Sequence, residues 1–321
     1  MKTILVTGGS GMVGQAIKKL IDTRVDEEEW LFISSKDVDL KDYNSTLSFF
    51  KSWNPTYVIH LAANVGGLYK NLYSNIDMFY DNSLINMNVL KVCNEIGVER
   101  MICCLSTCIF PEQVDKHPIT EKMLHLGPPH PSNNGYAYSK RMLEVLCSMY
   151  NENHNRKYTC VIPCNIYGPY DNFNIDNAHV IPALIHKAYI AHRDNDAFII
   201  KGSGKALRQF IHADDVGKLC IWLLFNGQEL IEPIILSPPP KQSYSIKDVV
   251  DMIRKYTGLN YKQVVYDETF TDGQYLKPVS NHKFTELYKK IEKQEYKFIS
   301  FEQGLQTTVE WFKENYDVCR K

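Results

Sequence analysis

The sequence holds nine cysteines but no C-x-x-C pair. Their odd number and irregular spacing argue against both a disulfide framework and a structural zinc site, and no metal is expected. Runs of Lys or Arg are also missing, and the formal net charge is only -1, so the chain offers no electrostatic footprint for DNA or RNA. No apolar stretch approaches a membrane span, and Ile4-Leu5-Val6 is too short for the core of a signal peptide. These absences predict a reduced, cytoplasmic protein without a nucleic-acid or membrane partner. Internal repeats and low-complexity tracts are lacking too. What remains is an ordinary globular composition, 44% apolar and 23% charged. At 321 residues the chain exceeds the usual size of a single core, which predicts one large domain with a smaller lobe.

The hydrophobic pattern supplies the organisation. Thr3-Ile4-Leu5-Val6-Thr7 is a short continuous apolar run, as expected of a strand buried on both faces of a parallel sheet. Further strands are predicted at Trp30 to Ser34, Tyr57 to Leu61, Met101 to Leu105 and Thr159 to Pro163. Helices are predicted over Met12 to Ile21, Ser83 to Ile96 and Tyr136 to Tyr150. This alternation predicts an α/β fold, a Rossmann-like doubly wound parallel sheet with a smaller C-terminal α/β substrate-binding lobe. The texture changes near residue 166, so residues 1–166 are expected to form the nucleotide-binding domain, receiving part of 205–230, and 167–321 mainly the lobe. In the lobe, Ser245-Ile246-Lys247-Asp248 resembles a capping box opening a helix that stops at Gly258.

Between the first strand and the first helix stands Gly8-Gly9-Ser10-Gly11-Met12-Val13-Gly14. Glycines at this spacing permit a tight turn and close backbone approach, while the helix N-terminus offers unpaired N–H groups to a pyrophosphate. The second strand ends Ser34-Ser35-Lys36-Asp37. Two hydroxyls and a cation suit the 2′-phosphate of NADP, which is the favoured cofactor; Asp37 in the ribose position would instead take NAD.

Tyr136 and Lys140 lie four residues apart, on one face of a predicted helix. Alone, Y-x-x-x-K is a weak pattern, usually two residues of an amphipathic helix. Here Leu105-Ser106-Thr107-Cys108 ends a strand, where ligands of doubly wound sheets bind. An ammonium beside the phenol favours the phenolate and is expected to lower the Tyr136 pKa, equipping it to pass a proton to a carbonyl oxygen.

The Gly turn, the strand-end Ser106 and the Tyr136/Lys140 pair together resemble the extended short-chain dehydrogenase/reductase family. Val65-Gly66-Gly67, Ser106-Thr107-Cys108-Ile109-Phe110-Pro111, Pro163-Cys164-Asn165, Tyr167-Gly168-Pro169-Tyr170-Asp171-Asn172-Phe173 and His179-Val180-Ile181-Pro182 resemble, within it, the GDP-L-fucose synthase family. The resemblance extends from Thr3 through Asp272-Gly273-Gln274 and Trp311-Phe312. It implies a GDP-sugar substrate with a ketone at C4, two epimerisations at C3 and C5, and reduction by NADPH. Cys108 and His179 match the family's epimerising acid and base, a pair in which imidazolium would lower the thiol pKa. Tyr136 matches the proton donor, Lys140 its partner, and Ser106 the hydrogen-bonding group for the C4 oxygen. Cofactor contacts are implied at Gly8 to Gly14, Ser34, Ser35, Lys36, Asp39, Leu40, Leu61, Ala62, Ala63, Leu105, Lys140, Pro163, Cys164, Asn165, Ile166 and His179. Substrate contacts are implied at Asn165, Val180, Lys187, Lys201, Arg208 and Asp272. At Lys201 the family usually carries Trp. The resemblance also implies a homodimer joined through helices near Ser83–Ile96 and Tyr136–Tyr150.

Two rival readings stay in view. A 4-epimerase or 4,6-dehydratase of the same superfamily would share the fold, although a dehydratase normally carries an acidic residue where Cys108 stands. A non-catalytic NADP sensor would have no need of Ser106, Tyr136 and Lys140.

Overall fold

The computed structural model describes residues 2–23, 28–227, 229–270 and 275–321. Its centre is a parallel six-stranded sheet built from β1 (Thr3–Thr7), β2 (Glu29–Ile33), β3 (Tyr57–His60), β4 (Arg100–Cys104), β5 (Lys157–Pro163) and β9 (Ile234–Leu236), in the order β2-β1-β3-β4-β5-β9. Helices α1 (Met12–Ile21), α2 (Tyr43–Trp53), α3 (Leu68–Tyr73), α4 (Asn75–Glu95), α5 (Asn134–His154) and α7 (Ala213–Asn226) connect and cover these strands. Cover on both faces explains why Ile4, Leu5 and Val6 are all buried, and hence why β1 is apolar without alternation. The fold is therefore a Rossmann-like doubly wound α/β sheet. From β1 the chain steps outward to β2, then returns to the opposite side of β1 for β3. That reversal opens a crevice at the carboxyl ends of β1 and β3.

After β5 the chain leaves the sheet. It forms β6 (Asn165–Tyr167), α6 (Val180–Asp194), β7 (Phe198–Lys201) and β8 (Leu207–His212), then re-enters through α7 and β9, with Val161 opposite Ile234. A second group follows: β10 (Ser243–Ser245), α8 (Ile246–Thr257), β11 (Val264–Asp267), α9 (His282–Glu292) and α10 (Phe301–Glu314). β10-β8-β6 and β11-β7 form two small sheets. Phe173, Ile185, Phe198, Phe210, Val250, Phe301 and Phe312 are buried together there, apart from the main core. α8 begins at Ser245, whose hydroxyl accepts from the Asp248 N–H while Asp248 accepts in return, and ends at Gly258 with φ of 81°. Both signals stood in the sequence.

Two helices outrun their predicted spans: α5 covers Asn134–His154 against the predicted Tyr136 to Tyr150, and α4 departs further. α4 begins at Asn75, eight residues before the predicted Ser83. Its first turns carry Ile76, 80% exposed, with Phe79 and Tyr80 also exposed, so their apolar side chains do not face this chain's own core. A pattern tied to the core therefore starts late. Among the described residues, no helix is long and apolar enough to cross a membrane.

Candidate functional site

A cleft of about 620 Å³ runs along the carboxyl ends of the strands, from Ile33–Ser35 to Tyr136 and His179. Its floor begins with the Gly turn. Gly8 has φ of 70°, and a Cβ there would meet the Ala62 nitrogen at 2.8 Å, so the turn and the end of β3 approach as only glycine allows. Gly14 is tighter still: a Cβ would lie 2.6 Å from Gly8 O and from Gly9 Cα. The Gly9 N–H donates to Ile33 O (2.8 Å), locking the turn to β2. α1 starts at Gly11 with no side-chain cap and no acidic residue in its first turn, leaving its N–H groups for an anion. Gly8, Ser10, Gly11, Met12, Val13 and Gly14 line the cleft, whereas Gly9 packs beneath against Phe32.

At the far end of β2, Ser34, Ser35, Asp39 and Leu40 line the cleft. Asp37 does not. Its carboxylate accepts from the Ser34 N–H (2.7 Å) and hydroxyl (2.8 Å), which holds its pKa below the usual carboxylate value. The acid and the Ser34 hydroxyl are thus spent on each other in the local turn, and Ser35 presents a hydroxyl at the cleft. Lys36 is exposed and outside the lining. Leu61, Ala62 and Ala63 form the wall after β3, where Leu61 and Ala62 N–H groups both donate to the Thr7 hydroxyl at 3.2 Å. The glycine cradle, the open helix end and the size of the cleft fit a dinucleotide.

The catalytic group stands where β4 ends. The Ser106 hydroxyl accepts from the Cys108 N–H (3.4 Å), so Ser106 caps a single 3-10 turn, Thr107–Ile109, that carries Cys108. Lys140, buried on α5, donates to the Cys104 carbonyl (2.7 Å) and sits 5.8 Å from the Tyr136 ring centroid. Leu105, Ser106, Tyr136, Lys140, Pro163, Cys164, Asn165, Ile166, His179 and Val180 all line the same cleft.

The electrostatics correct two expectations. Burial, with Cys108 and Cys104 adding to it, pushes the Tyr136 phenol well above its ordinary pKa rather than toward neutrality. The Lys140 ammonium is committed to the Cys104 carbonyl and is itself weakened by burial. A phenol so placed keeps its proton, which suits a donor. The thiol of Cys108 is likewise raised by burial, opposed first by Ser106 and then by the cations Lys277 and Lys140. His179 is not among the groups acting on it. His179 lines the cleft and is exposed along it, while the protein around it lowers its basicity. The raised thiol and the lowered imidazole leave both groups neutral, so they do not form a thiolate–imidazolium pair.

Lys277 had no signal in the sequence. Backbone bonds place it: Leu207 N–H to Tyr275 O (2.9 Å), Ile119 N–H to Pro278 O (2.8 Å) and Ser280 N–H to Ile119 O (2.7 Å). Burial lowers the Lys277 pKa, opposed by Cys108 and reinforced by the cations Arg208 and Arg141. Three of the predicted substrate residues lie outside the cleft, on the smaller sheets and α6. Lys187 and Lys201 are neighbouring cations that lower the Lys187 pKa behind a larger effect of burial, Lys201 lies 4.7 Å from the Phe270 ring centroid, and Arg208 donates to Leu207 O (2.8 Å). Asn165 is in the cleft, its amide fixed to Gln209 O (2.8 Å). Asp272 lies outside the described residues. The cleft also includes Asp171 and Arg320, neither of them predicted as site residues. All nine cysteines are free, and among the described residues no group of His, Cys, Asp or Glu is arranged to hold a metal.

Residues 4–236 match the family model described as "NAD dependent epimerase/dehydratase family". A GDP-L-fucose synthase of Dictyostelium discoideum is 45% identical over 322 aligned residues, covering 100% of this chain and 98% of that protein. A probable GDP-L-fucose synthase of Drosophila melanogaster is 43% identical, covering 100% of both. Among solved structures, a GDP-L-fucose synthetase of Naegleria fowleri bound to NADP superposes with a TM-score of 0.92 at 42% identity, covering 100% of this chain and 95% of that one. The chain belongs to the NAD dependent epimerase/dehydratase family, within its GDP-L-fucose synthase group.

Proposed function

We propose that the protein is a GDP-L-fucose synthase, converting GDP-4-keto-6-deoxy-D-mannose to GDP-L-fucose. The carrying observation is that the Ser106-capped turn after β4 carries Cys108 next to Tyr136 and Lys140, with Ser106, Thr107, Tyr136 and Lys140 lining the cleft and Cys108 itself behind that lining. NADP is the cofactor the cleft fits, with the Gly turn for its pyrophosphate and Ser34 and Ser35 at the ribose end; reduced, it supplies the hydride for C4. The identity to GDP-L-fucose synthases over the whole chain supports the same substrate.

The residues then divide the work. The C4 ketone acidifies the hydrogens at C3 and C5, and Ser106 hydrogen-bonds its oxygen, stabilising the enolate that forms when either proton leaves. Cys108 and His179 are the candidates to remove and return these protons on opposite faces. Tyr136, held neutral by burial, protonates the C4 oxygen on reduction. Lys187 and Arg208 supply cations for the sugar-nucleotide diphosphate, Asp272 contacts the nucleotide, and Lys201 presents an ammonium where the resembled family carries Trp. Residues 1–166, with part of 205–230, form the cofactor-binding unit and 167–321 mainly the substrate lobe.

The apolar side chains of Ile76, Tyr80, Met87, Met142 and Met149, exposed on α4 and α5, support a homodimer joined through these helices. Ile76→Lys should shift the protein to monomer in light scattering; an unchanged mass in that variant removes this face from the interface. The free thiols suit the reducing cytoplasm, and cell fractionation tests that placement.

The deciding experiment incubates purified protein with NADPH and GDP-4-keto-6-deoxy-D-mannose, then identifies the product. Oxidation of NADPH with GDP-L-fucose formed is expected. A 6-deoxy sugar reduced but not epimerised would leave a 4-reductase without roles for Cys108 and His179.

A further inference from the structure

Asp171 is 6% exposed and lines the cleft. One carboxylate oxygen accepts from the Asn172 N–H (2.7 Å), but Oδ2 is buried without a hydrogen-bond partner. Among the described residues the cation acting on this carboxylate is Arg320, which also lines the cleft. Arg320 comes from far along the chain. Tyr170 and Phe173 pack against Trp311 (centroids 4.7 and 6.0 Å), Phe173 meets Phe312 (4.5 Å), and the Phe173 N–H donates to Arg320 O (2.7 Å). These contacts fix the backbone of Arg320 beside the Asp171 loop. Among the described residues no hydrogen bond or ion pair engages its guanidinium.

Lys70 donates to Asn64 Oδ1 (2.6 Å) and Val65 O (3.1 Å), and Arg320 lies close enough to lower its pKa, behind a larger effect of burial. Two cations held near one another at the edge of an anion-binding cleft repel unless an anion lies between or beside them. The other cations of the lining are committed, Lys41 to Asp81 (3.4 Å) and Lys140 to the Cys104 carbonyl (2.7 Å).

We propose that Arg320 is a cofactor-binding residue that clamps the dinucleotide pyrophosphate against the Gly turn from the cleft wall it shares with Asp171. The Gly turn itself contains no basic residue, so its backbone donors leave part of the diphosphate charge uncompensated. A planar guanidinium meets that charge with paired donors. The assignment rests on the proposed NADP-dependent reading and adds a contact to it.

The test is equilibrium binding to full-length protein, followed by fluorescence. Arg320→Gln is expected to weaken NADPH and 2′-phospho-ADP-ribose roughly tenfold to hundredfold, the effect of one charge-assisted contact. 2′-AMP, which lacks the pyrophosphate, is expected to bind variant and wild type alike. Arg320→Lys should restore part of the affinity, and Arg320→Gln should flatten the salt dependence of NADPH binding. Unchanged NADPH affinity, or equal weakening of 2′-AMP, overturns the clamp. Weakening of GDP with NADPH unaffected would transfer Arg320 to the substrate diphosphate and overturn it too. Failure of the wild-type chain to bind NADPH would instead defeat the underlying functional reading.

Discussion

Lys140 gives its ammonium to the carbonyl oxygen of Cys104 at 2.7 Å and stands 5.8 Å from the centre of the Tyr136 ring. The cation is thus anchored to the strand that ends at Ser106, and the phenol it accompanies is governed by burial. This sets the expected behaviour of Tyr136. Tyr136→Phe should reduce C4 reduction roughly 10²- to 10⁴-fold, the usual scale for a positioned proton donor. NADPH affinity should stay within about twofold, because the ring remains. Because the phenol is raised rather than lowered, wild-type reduction should not lose its proton donor between pH 7 and 9; a pH–rate fall in that window that disappears in Tyr136→Phe would contradict the assignment.

How much of this was readable beforehand depended on sequence distance. The five strands predicted from apolar runs are present because buried parallel strands must be apolar on both faces. The Gly turn, Ser106, Tyr136 and Lys140 were legible because each is fixed by its own strand or helix. β9 was not, since three residues, Ile234–Leu236, return to the sheet only after β6, β8 and α7 intervene. Lys277 and Arg320 escaped for the same reason. Their places depend on backbone pairing with Leu207 and Ile119, and on aromatic packing around Phe173, and no local pattern encodes such contacts.

Gly14→Ala sets two effects against each other. Ala is favoured over Gly in a helix by about 1 kcal/mol. Against it, the new Cβ would lie 2.6 Å from Gly8 O, Gly9 Cα and Gly9 O, all backbone atoms with no rotamer to yield. Overpacking on this scale costs roughly 1–3 kcal/mol. The clash should prevail, lowering the melting temperature and weakening NADPH more than tenfold; a variant as stable and tight-binding as wild type would show that the turn is not close-packed in solution.

Lys277 should tune Cys108. Burial raises the thiol pKa, so the reactive thiolate grows as pH rises, and Lys277 opposes the shift. Lys277→Met should move the pH profile of Cys108 alkylation to higher pH, while Lys277→Arg should keep it near wild type. Solvent-hydrogen exchange into the substrate at C3 and C5 should slow in Lys277→Met at neutral pH and recover as pH is raised. Peptide-resolved mass spectrometry reads the first effect and isotope incorporation the second. An alkylation profile unmoved by Lys277→Met would remove Lys277 from the site.

Asp171 carries a stability signature that is independent of turnover. Burial pushes its carboxyl from 3.8 up to about 7, so the folded protein holds this proton more tightly than the unfolded chain. Between those values the native state binds more protons, and stability must fall as pH rises. The stabilising contribution is complete below the unfolded pKa and is lost as pH passes through the folded one. Asp171→Asn keeps an oxygen for the Asn172 N–H and removes the charge. The variant should therefore be more stable than wild type at pH 8, by on the order of 2–4 kcal/mol from the size of the shift. That advantage should shrink steadily toward pH 4. Urea unfolding of both proteins across this range is the measurement, and a difference independent of pH would mean that Asp171 is ionised in the folded protein throughout, paired with Arg320 more strongly than its burial opposes.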